Sequence, residues 1–494
     1  MTRTFLDLCT DPTVTGPARV TIDAIKQVLN TPDCAAESLD LGNFNISDLT
    51  PLAGVVNLKT LGLGFNPLTD LSPLAGLTAL ESLNLDATGV QDIGVVANFP
   101  RLKVLSATQN RIADLSPLKG LARLERLHLT RNAVKDLTPL AGLTRLRELF
   151  LFENQAADVA PLAGLVNLRV LDLVSNGVTD LSPLKRMTQL QSLSVRSNKL
   201  TDVAVVRKFA QLTTLDVGLN RLTSLAPLAG LTRLTTLAAD RNQVKDVKPL
   251  AALTLLTQLD LTKNAVASLD PLAKLTKLTR LFLADNPLRG VAPLKKLTRL
   301  ERLGLDRTGL RDLAGLPKFP RLRELTVTGT GLTDLGPVAG FPALENLMAD
   351  DNAVADLTPV AGLTQLRTLT ISNNQVRDLR PLEKLVELTV LSFESNKVVS
   401  LAPLAGLAKM DRLSFGDNAV ADLTPLAGMT QLAVLVAPAN QIADVSPLAG
   451  LKTLPILILD ENPIADGRVP KTAANCPTRA GVPPSLAAFC SSPP

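Results

Sequence analysis

Hydrophobic positions recur along this chain with a fixed spacing of 22 residues. The stretch Leu124–Arg145 is LERLHLTRNAVKDLTPLAGLTR, and the two stretches that follow it repeat the same arrangement of leucines. The first leucine of this unit returns at every step from Leu58 to Leu454, with Met410 as the one exception. Counting a degenerate unit that opens at Ala36, the chain holds 20 copies without an insertion. A fixed period of this length predicts a solenoid of stacked units.

Each unit predicts one short strand followed by a bend. Leu127 and Leu129 alternate with His128, so the leucines are expected to face inward and the histidine to face solvent. Asn132 stands where the chain has to leave the strand, and its amide can bond backbone groups of the bend. Asparagine fills this position in 16 of the 20 units, the exceptions being Phe44, Thr88, Thr308 and Thr330. We therefore expect a column of amides that satisfies backbone groups between stacked units.

The second half of each unit predicts a short helical turn. Thr138 precedes Pro139, an order typical of a helix start with the threonine hydroxyl as its cap. Gly142 follows too soon for a long helix, so a 3₁₀ or single-turn segment is expected. One unit alone buries too little apolar surface to offset the entropy of ordering its own residues. Stability must therefore come from neighbouring units, and both ends of the stack need caps.

The period divides the chain into three segments. These are an N-terminal helical cap over residues 1–35, the repeats over residues 36–466, and a C-terminal cap and tail over residues 467–494. In the first segment Ile22, Ile25 and Leu29 recur at helical spacing, with Val28 beside them. This spacing predicts an amphipathic helix that covers the open end of the first repeat.

All four cysteines fall in the two predicted caps. We interpret them as two disulfides, Cys9 with Cys34 and Cys476 with Cys490, each closing a loop over an exposed edge of the core. Free thiols and a metal site of four thiols are the alternatives, although the two pairs stand at opposite ends of the stack. Disulfides favour a secreted, periplasmic or cell-surface protein. No signal peptide is visible after Met1, so a cytoplasmic protein is the alternative.

Composition and charge exclude several classes of protein. The chain has 51 basic and 46 acidic side chains with both signs interspersed, a net charge of +5, and neither Trp nor Tyr. No basic run is interleaved with aromatic residues, so no nucleic-acid partner is expected. No stretch approaches the ~20 uncharged apolar residues of a membrane span. We expect a monomer built on an aliphatic core.

Catalytic and metal-binding signatures are lacking. His128 is the only histidine, and no phosphate loop, nucleophile elbow or dinucleotide fingerprint occurs, so we expect no enzyme and no cofactor. Asp136 stands at a turn position that is aspartate in 16 of the 20 units. Such a column could collect Ca²⁺, but calcium wants six to eight oxygen ligands and these acids come one per unit. We therefore expect each aspartate to accept a bond from the N–H two residues further on, and no metal.

The outward strand positions are the candidates for ligand binding, because folding leaves them free to vary. Two adjacent units carry aromatic residues there with charged residues around them, an arrangement that resembles a binding hot spot. The predicted partner-binding residues are Arg126, His128, Arg131, Glu148, Phe150, Phe152, Glu153 and Val174. A weaker second surface surrounds Phe282 with Asp240, Arg241, Lys263, Arg280, Arg302, Asp306 and Arg307. The alternative is that these phenylalanines are ordinary exposed apolar residues.

The repeat resembles the 22-residue leucine-rich repeat of bacterial internalins, a subclass shared with a eukaryotic phosphatase regulator. The segments that carry the resemblance are DLSPLAGLTALESLNL at Asp70–Leu85 and DLTPLAGLTRLRELFL at Asp136–Leu151. It implies an α/β solenoid: a leucine-rich repeat horseshoe with a parallel β-sheet on its concave side and short 3₁₀ helices on its convex side. Internalins bind host proteins on the concave face. This chain lacks their immunoglobulin-like module and LPxTG motif, so host-cell invasion does not carry over.

Repeat pattern and resemblance together indicate a non-enzymatic scaffold. The first hypothesis is an exported bacterial protein that holds a protein ligand on its concave face. The second is a cytosolic scaffold that regulates a partner enzyme, and the third is a purely structural surface component. Four free thiols under denaturation would favour the second, and the third predicts no saturable partner.

Overall fold

A computed structural model describes residues 11–29, 37–451 and 454–464. The chain divides into two compact units, with the boundary in the sequence between Gln243 and Val244. The four cysteines and the predicted segment boundaries near residues 35 and 466 lie outside the described residues. Their predicted disulfides and cap limits therefore stay predictions.

The first unit opens with helix α1, Gly16–Leu29, which packs on the first strand and the first 3₁₀ turn. Ile22 and Ile25 are fully buried, as the spacing predicted, and the hydroxyl of Thr21 donates to the carbonyl of Asp48 at 2.6 Å. Val28, which was expected beside them, is 38% exposed. Helix α1 thus lies against the first repeat.

A parallel sheet fills one side of the first unit, with consecutive strands paired in register. Its strands are β1 Ser38–Asp40, β2 Thr60–Gly62, β3 Ser82–Asn84, β4 Val104–Ser106, β5 Arg126–His128, β6 Glu148–Phe150, β7 Val170–Asp172, β8 Ser192–Ser194, β9 Thr214–Asp216 and β10 Thr236–Ala238. Short 3₁₀ helices return the chain at Thr50–Leu52, Ser72–Gly76, Gly94–Asn98, Ser116–Leu118, Thr138–Leu140, Ala160–Gly164, Ser182–Arg186, Ala204–Lys208 and Ala226–Leu228.

The second unit repeats this plan, again with consecutive parallel strands in register. Its strands are β11 Gln258–Asp260, β12 Arg280–Phe282, β13 Arg302–Gly304, β14 Glu324–Thr326, β15 Asn346–Met348, β16 Thr368–Thr370, β17 Val390–Ser392, β18 Arg412–Ser414, β19 Val434–Val436 and β20 Ile456–Ile458. The 3₁₀ helices are Lys248–Ala252, Asp270–Lys274, Ala292–Lys296, Gly336–Gly340, Thr358–Val360, Arg380–Leu382, Ala402–Leu404, Thr424–Leu426 and Ser446–Gly450. Both units are leucine-rich repeat solenoids, as predicted.

The leucines form the core between sheet and turns. In the unit that opens at Leu124, the inward strand residues Leu127 and Leu129 and the turn residue Leu140 have no exposed surface. Stacking places each of these side chains against its equivalents in the units before and after it, so the apolar face that one unit cannot bury alone is covered by its neighbours.

The asparagine column links each unit to the units on both sides. Asn132 donates from Nδ2 to the carbonyls of Ala107, Leu129 and Thr130 at 2.8, 3.0 and 3.3 Å, and its Oδ1 accepts from the N–H of Ile112 at 2.9 Å. One side chain thus satisfies backbone groups of two consecutive units, which confirms the predicted role of this position. Threonine preserves only part of this pattern at Thr88, Thr308 and Thr330, where the hydroxyl donates to the carbonyl three residues earlier.

The predicted cap of the short helical turns is wrong in one detail. The turn Thr138–Leu140 has no side-chain cap from the residue that precedes it. Instead, Oδ1 of Asp136 accepts a bond from the N–H of Thr138 at 2.8 Å. The aspartate three residues before the proline therefore supplies the acceptor that had been assigned to the threonine hydroxyl, and it satisfies one of the free N–H groups of the first turn.

Candidate functional site

Strands β5, β6 and β7 place the predicted partner-binding residues side by side on the outward face of the first unit. Phe150 pairs in register with His128 on one side and with Asp172 on the other. Phe152 follows two residues after Phe150 on the same face, and both rings are half-buried. Val174 stands next to Phe152 in the following repeat and is also half-buried. We call this the β6 aromatic surface, defined by His128, Phe150, Phe152, Asp172 and Val174.

His128 packs with its ring edge against Phe150. The ring centroids are 4.7 Å apart and the planes are inclined by 77°, a favoured geometry for aromatic pairs. Nε2 of His128 is buried, forms no hydrogen bond in the part of the chain that the structure describes, and lies 4.0 Å from Oε2 of Glu148. Burial lowers the pKa of His128 below its ordinary value of 6.5; Arg126 adds to this, while Glu148 and Asp86 oppose it. The ring is therefore neutral at pH 7 and serves as part of an apolar contact.

Ion pairs between neighbouring repeats border this surface. Nε of Arg131 donates to Oε2 of Glu153 at 2.8 Å, and the same guanidinium lies 5.7 Å from the centre of the Phe152 ring. Nε of Arg126 is 3.6 Å from Oε1 of Glu148. These four charged residues thus compensate one another while their side chains remain largely exposed. They form a polar rim beside the phenylalanine rings.

The residue before each asparagine of the column has a left-handed backbone, which sequence reasoning missed. Arg131 has φ 57° and Glu153 has φ 53°, and the same conformation recurs at this position through both units. It costs a non-glycine residue roughly 1 kcal/mol and is held in place by the backbone bond from Arg131 N–H to the carbonyl of Phe152, at 2.7 Å. The only signal in the sequence is that Gly329 occupies this position in one unit.

Asp172 closes the β6 aromatic surface on the side of β7. Its Oδ1 accepts from the N–H of Val174 at 2.9 Å. Burial raises the pKa of Asp172 above its ordinary value, and repulsion from Asp216 adds to the rise, while the bond from Val174 opposes it. An ionised Asp172 would therefore gain from a cationic group brought by a ligand.

The second predicted surface is less coherent. In the second unit, Phe282 lies over Gly304, where an added Cβ would meet the ring at 3.1 Å. Arg302 approaches Glu324 at 3.5 Å, and Arg307 bonds Asp285 at 2.6 and 2.9 Å. Oδ2 of Asp306 accepts from the hydroxyl of Thr326, and its Oδ1 accepts from the N–H of Thr328. Arg280 lies on β12 with Phe282, and Lys263 lies in the preceding repeat. Arg241 belongs to the first unit.

Asp240, which was also predicted for that second surface, belongs to the first unit. It is 4% exposed and accepts two bonds from the guanidinium of Arg196, which comes from two repeats earlier in the first unit. Arg196 also lies 3.5 Å from Asp216. Burial raises the pKa of Asp216, and Asp240 adds to the rise, while the bond from Gly218 N–H and the charge of Arg196 oppose it. This network is a structural link between repeats that spacing alone did not reveal.

Among the described residues, no group of three or more His, Cys, Asp or Glu side chains is placed to hold a metal ion. The turn aspartates accept bonds from the residue two positions on, as predicted, for example Asp70 with Ser72, Asp180 with Ser182 and Asp356 with Thr358. No helix in the described part of the chain is long and apolar enough to cross a membrane.

The repeat family is recognised in four separate stretches. The family description "Leucine Rich repeats (2 copies)" matches residues 56–98, 100–142, 166–208 and 364–406. Together with the register of the strands and turns, this decides the identification. The chain is a leucine-rich repeat protein of the internalin-like kind. No curated protein matches it in sequence.

Solved structures similar to this leucine-rich repeat protein come from bacteria and plants. An internalin of Listeria monocytogenes is 24% identical, with 82% of this chain and 98% of that chain covered and a TM-score of 0.38. A leucine-rich repeat protein of Leptospira interrogans is 21% identical, with 81% and 93% covered and a TM-score of 0.54. The ectodomain of the Arabidopsis receptor kinase HAESA, in complex with a peptide hormone ligand, is 20% identical, with 86% and 74% covered and a TM-score of 0.61. The last two show that the fold is shared.

Proposed function

We propose that this leucine-rich repeat protein is a non-enzymatic scaffold that binds a protein or peptide ligand on the β6 aromatic surface, the side that is concave in a horseshoe. The observation that carries the proposal is the pair Phe150 and Phe152, two half-buried aromatic rings spaced two residues apart, the first at the end of β6 and the second just after it. Their neighbours on the same face are mostly polar or charged, so both rings keep part of their surface exposed to solvent. A ligand would cover both rings at once.

The surroundings of the rings suit an interface. Binding hot spots combine aromatic anchors with a rim of contacts that exclude water. Here the rim consists of the pairs Arg131 with Glu153 and Arg126 with Glu148, whose charges are already compensated and cost less to cover than isolated charges would. The neutral His128 extends the apolar area, and Asp172 provides a carboxylate for a basic group of the ligand.

Leucine-rich repeat proteins of known structure support the class of ligand. The HAESA ectodomain, which shares the fold, was solved in complex with a peptide hormone. We extend protein or peptide binding to this chain as part of the proposal, with the chain acting as a monomer and without nucleic acid, cofactor or metal.

We further propose that the chain is an exported bacterial protein. The supporting observation is that Cys9, Cys34, Cys476 and Cys490 all fall outside the repeats, while the repeats contain none. Thiol titration of the denatured chain tests this: two disulfides leave no free thiol, whereas four free thiols would favour the cytosolic scaffold. Peptide mapping without reduction should then find Cys9 linked to Cys34 and Cys476 linked to Cys490.

Selection from a phage-displayed random peptide library tests the binding surface. Peptides enriched on the wild-type chain should lose most of their binding to the double variant Phe150→Ser with Phe152→Ser, because an aromatic anchor contributes roughly 2 kcal/mol or more, which is over about twentyfold in affinity. The control is Val434→Ser with Val436→Ser, an apolar pair spaced two apart on the same face of β19 in the second unit. Equal binding to the double phenylalanine variant would contradict the proposal and direct attention to the Phe282 surface.

A further inference from the structure

A second candidate site lies in the first unit at the opposite edge from the asparagine column, where the chain enters the strands. Arg145, Arg147 and Arg169 line a groove of about 350 Å³ together with Glu125 and two side-chain amides, Asn167 and Gln189. Three guanidinium groups face one carboxylate, so the groove carries a net positive charge. We call it the arginine groove.

The side chains of the three arginines are unpaired within the part of the chain that the structure describes. All three side chains are exposed, and none forms a hydrogen bond or ion pair with its side chain among the described residues. Asn167 is held in place, since its Nδ2 donates to the carbonyl of Thr144 at 2.8 Å. The backbone N–H groups of Arg147 and Arg169 already donate to the carbonyls of Glu125 and Arg147. Only the side chains are free to bind a ligand.

Three lysines at the same edge form ion pairs with an acid elsewhere in the chain. Within the first unit, Lys59 pairs with Glu37 at 2.8 Å and Lys103 with Glu81 at 2.7 Å. Within the second unit, Lys409 pairs with Glu387 at 2.6 Å. In each case the acid stands at the equivalent position of the neighbouring repeat. In the arginine groove only Arg147 has an acid, Glu125, at the equivalent position of the preceding repeat, and the structure shows no ion pair between these two described residues. Arg169 follows Arg147 in the same column, so one carboxylate stands beside three guanidinium groups.

We propose that the arginine groove binds the sulfate or phosphate groups of a linear anionic polysaccharide. Guanidinium groups bind tetrahedral oxyanions through paired hydrogen bonds. The exposed Arg101 and Arg123 stand at the positions equivalent to Arg145 in the two preceding repeats, and repeats are roughly 5 Å apart at the strands. The edge therefore offers positive charges at regular intervals, which suits a polymer with regularly spaced anionic groups better than a single small anion.

The lining of the groove argues against nucleic acid. Single-stranded nucleic acids are held by aromatic side chains on which their bases stack, in addition to charge. No aromatic residue lines the arginine groove. A sulfated sugar chain needs no such platform, since its recognition comes from guanidinium and amide groups.

Binding of heparin to the full-length chain at 150 mM NaCl tests the proposal by calorimetry. The triple variant Arg145→Gln, Arg147→Gln and Arg169→Gln should bind roughly tenfold more weakly or worse, because three charge-assisted contacts are lost. A second triple variant with lysine at these positions keeps the charge and should recover part of the affinity. The matched control is Arg111→Gln, Lys199→Gln and Arg221→Gln, which removes three uncompensated charges of the same unit at the opposite ends of the strands.

The outcomes separate a groove from general charge attraction. Supporting results are weak binding by the groove variant, binding within about threefold of wild type by the control variant, and loss of binding with desulfated heparin. Equal weakening in both glutamine variants would mean a diffuse field and overturn the proposal. So would an absence of heparin binding by the wild type, or tighter binding of a thymidine oligonucleotide. Because the substituted side chains are exposed and unpartnered, melting curves of all variants should overlay that of the wild type.

Discussion

The guanidinium of Arg196 reaches across a whole repeat to the carboxylate of Asp240. Nη1 donates to Oδ1 at 2.6 Å and Nη2 to Oδ2 at 2.7 Å, so the pair is bidentate. The residue between them is Gly218, where any Cβ would collide with Nη1 of Arg196. These bonds hold the pKa of Arg196 above its ordinary value. A stack in which each repeat contacts only its neighbours thus gains a link between second neighbours.

We expect this pair to couple strongly in a double-mutant cycle. Arg196→Ala leaves Asp240 buried without its main cation and should lower the free energy of unfolding by about 3 kcal/mol. The combination Arg196→Met with Asp240→Leu removes both charges and should stay within ~1 kcal/mol of wild type. Urea denaturation gives the values. The exposed pair Arg131 with Glu153 is the control and should couple by less than ~1 kcal/mol; similar coupling energies for the two pairs would contradict the prediction.

Much of the fold could be predicted from the sequence because the inward positions are constrained. Leu127 and Leu129 are buried in the core, and leucine spacing of this kind recurs from repeat to repeat, so the spacing predicts the strand. Asn132 must be polar because its side chain bonds backbone groups. The outward positions obey no such rule. Arg196 can bond Asp240 only because Gly218 between them has no side chain. Predicting this bond from the sequence would require three residues in three different repeats to be considered together.

The candidate site was predictable in position but not in its electrostatics. The alternation of inward and outward positions through β6 and the two residues after it predicted that Phe150 and Phe152 share one face. It did not reveal that His128 would be half-buried against Phe150, nor that Arg131 and Glu153 would have left-handed backbones. Both depend on how one repeat stacks on the next, which the hydrophobic period fixes only for the inward side chains.

Asn154 should show how much the asparagine column contributes. Its Nδ2 donates to the carbonyls of Leu129 and Leu151 at 2.9 and 3.0 Å, and its Oδ1 accepts from the N–H of Val134 at 2.9 Å. Asn154→Leu leaves these buried groups unpaired and should cost about 3 kcal/mol. Asn154→Thr should cost less, because a hydroxyl can still reach the carbonyl three residues earlier, as Thr88 does.

Hydrogen exchange at the Val134 amide reports this effect locally. Exchange should accelerate in Asn154→Leu, since that N–H loses its acceptor. Gln155→Leu is the matched control, because the neighbouring Gln155 side chain is exposed. Unchanged protection of Val134 in Asn154→Leu would mean that another group replaces the asparagine.

His128 gives a prediction for pH dependence that a single resonance can test. It is the only histidine of the chain, so one titrating ring signal in the NMR spectrum belongs to it. Its pKa should lie below 6.5, chiefly because of burial. Glu148→Gln should lower the pKa further, since an attraction to the imidazolium is lost, and Arg126→Gln should raise it.

The same shift makes folding depend on pH. The folded pKa of His128 is lower than the unfolded value of 6.5, so between the two the unfolded chain binds more protons. The stabilisation is present above pH 6.5 and is lost as the pH falls through the folded pKa. Urea denaturation should show this decline in the wild type and a smaller decline in His128→Phe. A midpoint at or above 6.5 in the NMR titration would contradict the burial argument.

The turn aspartates should confer acid sensitivity and no calcium dependence. Bonds from the residue two positions on lower the pKa of Asp70, Asp114, Asp136, Asp180, Asp356 and Asp422. Each folded pKa is thus below the unfolded value of 3.8, and the stabilisation present above pH 3.8 is lost as the pH falls through the folded pKa. At pH 7, Asp136→Asn should be mild because an amide oxygen can accept the same N–H, and Asp136→Leu should be worse. Calorimetric melting with chelator or with millimolar Ca²⁺ should give the same temperature, since each acid is already bonded to its own turn; a rise of many degrees with Ca²⁺ would show that the column binds metal.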